Sequence, residues 1–315
     1  MIETWKLPHM LKGTLTWVPL INAWRQHRVS TGGTDDARYC YSVWLRHLVT
    51  LVPYGFQVKG ARVGELGPGN SIGTGLAALL SGAEHYIGLD LLPFSDRTNL
   101  EAIFEELVQL YIKKESIPDN SEFPSIRPQL ESYEFPDHMI DWTDCRQRVE
   151  TIRSEIRKGL EHGRMIRYQA PWTSVADVSS QSLDLIFSQA VLEYVAPLDE
   201  IYRAMSVWLK MGHYASHVID LSTHGLSPFW NGQWAYSNRE WRLVRGRREI
   251  FLNREPLNSH LASAKKFGFE ILLLDKNYTN DGLRAAQLSP PFQTLDAEDL
   301  QTRGATMVLR KTGYG

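Results

Sequence analysis

The stretch VGELGPGNSIG, from Val63 to Gly73, places a carboxylate beside a glycine-rich turn. Gly67 and Gly69 allow a backbone to bend sharply and to approach a ligand closely. Turns of this kind commonly hold the phosphates of dinucleotides, and a carboxylate such as Glu65 would repel a phosphate. The stretch therefore favours a ligand whose nearest group is neutral or positively charged.

A second acidic residue, Asp90, ends the apolar run HYIGLD about 20 positions after the turn. An acidic residue in that place can bind both hydroxyls of a ribose. A ligand with a ribose, a cationic amino-acid end and no phosphate satisfies both carboxylates, and S-adenosylmethionine is such a ligand. A plainer role stays open for each residue. Glu65 could serve as a buried anchor for backbone amides, and Asp90 could cap the following turn, without either binding a ligand.

Seven short apolar runs alternate with helical segments, a pattern typical of a mostly parallel sheet covered on both faces. The predicted strands span residues 61–66, 85–90, 165–169, 183–188, 214–219, 269–274 and 306–310. Besides the helix after the glycine turn, helices are expected over residues 38–52, 99–114 and 143–161.

We expect one elaborated domain over residues 61–315, preceded by an N-terminal helical extension or lid over residues 1–60. Inserts at 91–164 and 221–260 follow predicted strands, and such inserts usually build the ligand site in folds of this kind. Tyr39 and Tyr41, with the turn at 30–34, either fold over the ligand or pack in the core.

Several segments resemble class I S-adenosylmethionine-dependent methyltransferases. ELGPG at 65–69, with Asp90, resembles the first two motifs of the family. The segment 182–195, SLDLIFSQAVLEYV, is similar to its fourth strand and the following turn, with Tyr194 replacing the usual histidine. Residues 209–213 resemble the turn before strand five, with Met211 and His213 departing from the pattern.

The resemblance implies an α/β, Rossmann-like class I methyltransferase fold. Its seven-stranded, mostly parallel sheet would have the order 3-2-1-4-5-7-6, with helices on both faces plus N-terminal and inserted helical elements. The cofactor would be S-adenosyl-L-methionine. The residues predicted to bind it are Glu65, Gly67, Pro68, Gly69, Asn70, Asp90, Leu91, Trp172, Ser188 and Gln189.

Three of these predicted contacts also have a purely structural alternative. The family often has an acidic residue after strand three, where this chain has Trp172, which either stacks on adenine or packs in the core. Ser188 and Gln189 close strand four and either face the cofactor or only shape the turn.

Methyl transfer needs alignment and exclusion of water, and an oxygen acceptor also needs a base. The predicted catalytic residues are His224, Asp220 and Glu193, near the ends of strands five and four. Asp220 would act as the base or as a substrate anchor. The plainer roles are an ordinary loop histidine for His224 and a helical ion pair for Glu193. His217 and Asp184 lie inside strands and are expected to be structural.

The acceptor is expected to be a small molecule that is methylated on oxygen, either a saccharide or nucleotide-sugar or a phosphorylated compound. The segment 229–254 adds aromatic residues and six arginines, which either bind such groups or pack over the aromatic rings. Those arginines are Arg239, Arg242, Arg245, Arg247, Arg248 and Arg254.

Composition argues against several kinds of partner, bound metal and cellular location. The net charge of −2 argues against nucleic acid and against an acidic membrane as partners. Two cysteines, without a CxxC pair, argue against a disulfide framework or a metal site. No run has the length of a signal peptide core or a membrane span, so a cytoplasmic location is expected.

Two other functions stay open at this point. An NAD(P)-dependent oxidoreductase would share the glycine turn, but Glu65 argues against a pyrophosphate there. A non-catalytic module that binds a cofactor or a partner could share the same fold.

Overall fold

The computed structural model describes residues 4–20, 32–93, 98–160 and 163–313, and elements are numbered in chain order within them. The strands are β1 Arg62–Leu66, β2 His85–Leu89, β3 Ile166–Gln169, β4 Leu183–Gln189, β5 Leu209–Asp220, β6 Phe269–Tyr278 and β7 Thr302–Lys311. The α-helices are α1 Lys6–Thr14, α2 Ala37–Leu51, α3 Gly73–Ser81, α4 Leu100–Lys113, α5 Cys145–Lys158, α6 Leu198–Trp208, α7 Asn238–Arg245 and α8 Leu257–Lys266.

The strands form one sheet in the order β3-β2-β1-β4-β5-β7-β6. Strands β1 to β5 are parallel, and β7 runs antiparallel between β5 and β6. This confirms the predicted class I methyltransferase fold and its strand order. The order reverses between β1 and β4, so a crevice forms at their carboxyl ends, where ligands bind in such sheets.

The predicted turn at 209–213 is wrong, because these residues belong to β5. Leu183 pairs with Leu209 and Leu185 with Tyr214, so the residues between Leu209 and Tyr214 bulge from an otherwise continuous strand. Gly212 in this bulge has a φ of 80°, which glycine adopts without strain. The turn-like composition therefore marks an irregularity within the strand.

Asp184, at the start of β4, joins three parts of this region. Its carboxylate accepts a hydrogen bond from the Arg62 backbone N–H at 2.8 Å and forms an ion pair with Lys210 at 2.6 Å. These contacts link β1, β4 and the β5 bulge at the end of the sheet opposite the crevice. They fit the structural role expected for Asp184.

Each face of the sheet carries its own hydrophobic core. On one face, α2, α3, α4 and α5 bury residues such as Trp44, Leu76 and Phe104. On the other face, α6 and α8 bury residues such as Tyr202 and Trp208. Since apolar residues of alternate strand positions feed the two cores, both faces are covered, as the sequence pattern predicted.

The N-terminal extension packs on the rest of the chain at two places. Helix α2 lies in the first core, where the Trp44 indole N–H donates to Ser81 Oγ at 2.7 Å. Helix α1 crosses α7 so closely that a Cβ on Gly13 would lie 1.9 Å from the Leu243 carbonyl oxygen. The described parts of residues 1–60 thus contribute to the folded core. Whether they move as a lid remains a prediction.

Candidate active site

A cavity of about 390 Å³, here called the glycine-turn cavity, opens at the carboxyl ends of β1, β2 and β4. Its volume suits a small-molecule ligand. Its lining comprises Gly32, Thr34, Tyr39, Val43, Glu65, Gly67, Pro68, Gly69, Thr74, Asp90, Gln189, Ala190, Val191, Tyr194, His224 and Ile250.

The glycine turn has a backbone that other residues would strain. Gly67 and Gly69 have φ values of 63° and 74°. A Cβ on Gly67 would lie 2.7 Å from the Val191 side chain, and the Gly67 N–H donates to the Leu89 carbonyl at 2.8 Å. The turn is therefore fixed to the sheet, and its bare backbone borders the cavity.

Glu65 lines this cavity although its residue is only 3% exposed. Burial raises the pKa of its carboxyl group to about 8, while a hydrogen bond donated by Tyr86 Oη to Oε2, at 2.6 Å, acts in the opposite direction. No lysine or arginine is among the described residues that line the cavity. The ionised carboxylate is thus costly in the protein alone, and a cationic ligand group would stabilise it.

Asp90 lies at the end of β2 and holds the glycine turn. Its Oδ2 accepts from the Gly69 N–H at 3.2 Å, and its Oδ1 accepts from the Leu91 N–H at 2.7 Å. Burial raises the pKa of Asp90 to about 6, although these backbone hydrogen bonds lower it. Each carboxylate oxygen keeps acceptor capacity, so the group can also receive ligand hydroxyls.

Four predicted cofactor contacts lie beside the cavity lining. Leu91 is 39% exposed just beyond β2, and the Asn70 carbonyl accepts from Thr98 Oγ1 at 3.0 Å. Ser188 is fully buried and its hydroxyl contacts His217 Nδ1 at 2.8 Å. The Trp172 backbone N–H donates to the Asp90 backbone carbonyl at 3.0 Å, and its ring packs edge-on against Trp208, which favours packing over adenine stacking.

Several lining residues were not predicted as cofactor contacts, among them Thr34, Thr74, Val191 and Ile250. Thr34 belongs to the N-terminal extension and Thr74 to helix α3, while Val191 follows β4 and Ile250 lies in the second insert. The placement of both inserts near the ligand site was expected from their position after strand ends. The turn at 30–34 and Tyr39 were expected either over the ligand or in the core, and Thr34 and Tyr39 line the cavity, whereas Tyr41 is fully buried. No spacing in the sequence marks the individual side chains.

A second cavity of about 620 Å³, here called the strand-end cavity, adjoins the first and shares Tyr39, Gln189 and Ala190 with it. It lies over the carboxyl ends of β4, β5 and β6 and the start of β7. The rest of its lining comprises Pro124, Ser125, Ile126, Arg127, Gln129, Val218, Ile219, Asp220, Asp275, Lys276, Asn277, Arg303, Gly304, Ala305 and Thr306.

His224 and Asp220 connect the two cavities. His224 lines the glycine-turn cavity and Asp220 lines the strand-end cavity, with His224 Nε2 3.7 Å from Asp220 Oδ2. His224 has a left-handed backbone, with a φ of 47°, and its ring centroid lies 5.5 Å from that of Tyr194. The hydrogen-bond contact of the ring is with the Asp220 backbone carbonyl oxygen, 3.4 Å from Nε2, and the Asp220 carboxylate lies beside the imidazole. A histidine beside a carboxylate can serve as a general base.

Glu193 lies deeper than this pair. It is 2% exposed, and burial raises its pKa well above the ordinary value. It borders a cavity of about 10 Å³ together with Asp220, Gln233 and Arg254. Glu193 is therefore positioned behind Asp220 and outside the lining of both larger cavities.

His217, expected to be a core histidine, is fully buried in β5. Burial lowers its pKa to about 3, so the imidazole is neutral at physiological pH. Its contact with Ser188 accounts for one ring nitrogen. These observations agree with a structural role.

Three arginines of the second insert, Arg247, Arg248 and Arg254, contact aromatic rings. The Arg254 guanidinium lies 4.7 Å from the Trp241 ring centroid and donates to the Tyr236 carbonyl. The Arg247 guanidinium lies 5.0 Å from the Trp17 ring. Neither arginine lines the two cavities, and their contacts favour packing over ligand binding.

Within the described ranges, no helix has the length and apolarity needed to cross a membrane. The same part of the chain contains no cluster of three or more His, Cys, Asp and Glu side chains suited to a metal ion.

Comparison with protein-family models and with curated proteins found no match. Among solved structures, the chain is similar to an S-adenosylmethionine-dependent methyltransferase from Mesorhizobium loti, with 15% identity and a TM-score of 0.41 over 83% of this chain and 96% of that one. It is also similar to a putative sarcosine dimethylglycine methyltransferase from Galdieria sulphuraria, at 12% identity, a TM-score of 0.43 and 84% coverage of each chain.

A third similar structure is geranyl diphosphate C-methyltransferase from Streptomyces coelicolor A3(2), at 9% identity and a TM-score of 0.43, over 84% of this chain and 78% of that one. These likenesses are distant. The fold assignment therefore rests on the strand order of the chain itself.

Proposed function

We propose that this protein is an S-adenosylmethionine-dependent methyltransferase that acts on a small molecule. The observation that carries the proposal is the charge of the glycine-turn cavity. Two buried carboxylates, Glu65 and Asp90, border it, and no lysine or arginine lies among its described lining residues. Such a cavity suits a cationic nucleoside and disfavours the pyrophosphate of NAD(P).

The residues present fit this ligand in three respects. Asp90 offers acceptor oxygens for ribose hydroxyls, and Glu65 offers a negative charge for the methionine end. The bare backbone at Gly67 and Gly69 permits a close approach. When bound, S-adenosylmethionine supplies an electrophilic methyl carbon.

His224 would accept the proton of an acceptor hydroxyl as that oxygen is methylated. Asp220 would orient the imidazole and stabilise the imidazolium formed. The pair lies where the glycine-turn cavity meets the strand-end cavity, which would hold the acceptor. This pair favours an enzyme over a non-catalytic module, and we propose methylation on oxygen of a saccharide or a phosphorylated compound.

The cofactor is tested by isothermal titration of the purified protein with S-adenosylhomocysteine and, separately, with NADH and NADPH. We expect S-adenosylhomocysteine to bind with a 1:1 stoichiometry, and we expect NADH and NADPH to give no heat of binding. Saturable binding of NADH or NADPH at the glycine turn, without binding of S-adenosylhomocysteine, would overturn the proposal.

Replacement of Asp90 by alanine is expected to weaken S-adenosylhomocysteine binding by roughly 1–3 kcal/mol, because a charged acceptor for two ribose hydroxyls is lost. Titration calorimetry on the purified variant measures this change. Asp275→Ala is a matched control, since Asp275 is an exposed carboxylate of the other cavity. Unchanged affinity in Asp90→Ala would remove Asp90 from the binding site.

Binding should also depend on pH. A cationic ligand group requires ionised Glu65, whose pKa in the protein alone is about 8. Below that pH, binding must displace a proton, so affinity should fall as pH decreases from 8 to 6.5. Calorimetry in buffers of different ionisation enthalpy should show proton release on binding. If affinity does not change with pH and no proton is released on binding, Glu65 does not interact with the cationic end of the ligand.

A further inference from the structure

We infer that the methyl acceptor is an anion whose phosphate or carboxylate group is bound by Arg127 and Arg303. This deepens the proposed function and rests on it for the identity of the reaction. Both guanidinium-bearing residues line the strand-end cavity, Arg127 from the first insert and Arg303 from the start of β7. They approach it from different parts of the fold.

The loop that carries Arg127 is held rigidly by a buried arginine of α2. Arg46 is fully buried, and its guanidinium donates to the carbonyls of Ile126 at 3.2 Å and Pro128 at 2.8 Å, on both sides of Arg127. It also donates to the Pro118 carbonyl at 2.8 Å. The half-buried Arg127 is therefore presented from a fixed backbone, and less ordering entropy is lost when it binds a ligand.

Arg303 is also attached to a fixed backbone. Its carbonyl accepts from the Leu221 N–H at 2.8 Å, which ties the start of β7 to the chain just after Asp220. The neighbouring Gly304 pairs with Asp220 in the sheet. Arg303 thus lies next to the strand end that carries the proposed Asp220–His224 pair.

The third cation of the cavity is already neutralised, whereas these two are not. Lys276 Nζ forms an ion pair with Glu298. By contrast, neither Arg127 nor Arg303 has a side-chain hydrogen bond or an ion pair with any residue in the described ranges. Guanidinium groups that face a cavity without a carboxylate partner are suited to bind phosphate or carboxylate through paired N–H donors.

The acidic residues of the cavity do not remove this preference. Asp220 accepts from the Ser222 N–H at 2.9 Å and faces His224, so it belongs to the boundary with the glycine-turn cavity. Asp275 is exposed to solvent. The arrangement fits an acceptor with a hydroxyl beside Asp220 and His224 and an anionic group beside the two arginines.

The test uses methyl-labelled S-adenosylmethionine, the purified full-length protein and a small-molecule extract fractionated by anion exchange. We expect the methylated product in the retained fractions, with a KM for the acceptor about 10-fold higher in Arg127→Gln and in Arg303→Gln. Arg203→Gln is the matched control, because Arg203 is exposed on α6, outside both cavities. Phosphatase treatment of the extract should abolish labelling for a phosphate and leave it intact for a carboxylate.

A product that passes the anion exchanger unretained, or variants with the wild-type KM, would overturn the inference. Titration of the protein with inorganic phosphate, with and without S-adenosylhomocysteine, tests the arginine pair independently of any acceptor. Weak saturable binding that is lost in the double variant supports the pair, and binding unaffected by either substitution counts against it. Failure to bind S-adenosylhomocysteine would reject the proposed function and leaves the phosphate result interpretable.

Discussion

Replacement of Glu65 by glutamine is expected to stabilise the protein alone and to weaken its binding of S-adenosylhomocysteine. Burial raises the pKa of Glu65 from 4.5 to about 8, so the folded state holds a proton that the unfolded chain releases between these values. The stability that this proton contributes is complete below pH 4.5 and is lost as pH rises toward 8. Glutamine removes the titration and keeps an acceptor for Tyr86 Oη.

The stability gain of Glu65→Gln should therefore increase with pH and reach on the order of 4 kcal/mol near pH 8, since one pKa unit corresponds to about 1.4 kcal/mol. Thermal and urea unfolding at pH 5 and pH 8 would measure it. Loss of the negative charge should at the same time reduce affinity for S-adenosylhomocysteine by about 10- to 100-fold, as expected when a charged hydrogen bond is lost. Calorimetry at pH 8 measures this second effect.

Glu84→Gln is the matched control, since the Glu84 side chain is 62% exposed just before β2. It should change neither stability nor affinity. A Glu65→Gln variant that loses stability at pH 8 would show that the ionised carboxylate has a stabilising partner in the native protein. A variant that binds S-adenosylhomocysteine as tightly as the wild type would show that the carboxylate does not stabilise the bound ligand.

Replacement of His224 by alanine is expected to reduce turnover by about 100-fold or more, because a general base typically contributes 10²–10⁴-fold. The side chain lies at the junction of the two cavities, 3.7 Å from Asp220. Methyl transfer from labelled S-adenosylmethionine to the acceptor measures the rate. Asp220→Asn should give a smaller loss, since it would leave the imidazole in place without its carboxylate.

The binding of S-adenosylhomocysteine separates a chemical role of His224 from a structural one. If His224 acts as the base, the variant should keep affinity within a few fold of the wild type while kcat falls. His213→Ala, at the opposite end of β5, is the control and should have wild-type kcat. A near-wild-type rate in His224→Ala would show that the acceptor needs no base or that another residue supplies it.

Much of the fold could be predicted from the sequence because the relevant signals are local. The glycine turn after an apolar strand and the helical spacing that follows it define β1 and α3. Asp90 at the end of the second run was placed at the carboxyl edge by topology alone. The bulge in β5 was not predicted, because the pairing of β4 with β5 creates it and the residues 210–213 alone have the composition of a turn.

The candidate site likewise has a part that could be predicted from the sequence and a part that could not. Glu65, Gly67, Gly69 and Asp90 follow one strand pair within a short span, so their meeting was predictable. Ser188 and Gln189 are neighbours in β4, yet their side chains point to opposite faces, and only Gln189 reaches the cavities. Strand alternation gives this opposition, but which face meets the ligand depends on the packed sheet.

The sequence by itself determined the strand–helix alternation, the glycine turn and the two carboxylates that favour a cationic nucleoside. The tertiary structure alone decided that Ile250 lines the glycine-turn cavity and that Arg127 and Arg303 line the adjoining one. It also decided that Arg247, Arg248 and Arg254 of the second insert pack on aromatic rings. The physical reason is the distance along the chain over which each feature is determined. Backbone turns and periodicity depend on neighbours in sequence, whereas side chains from distant loops share a cavity only after the sheet and its two cores have formed.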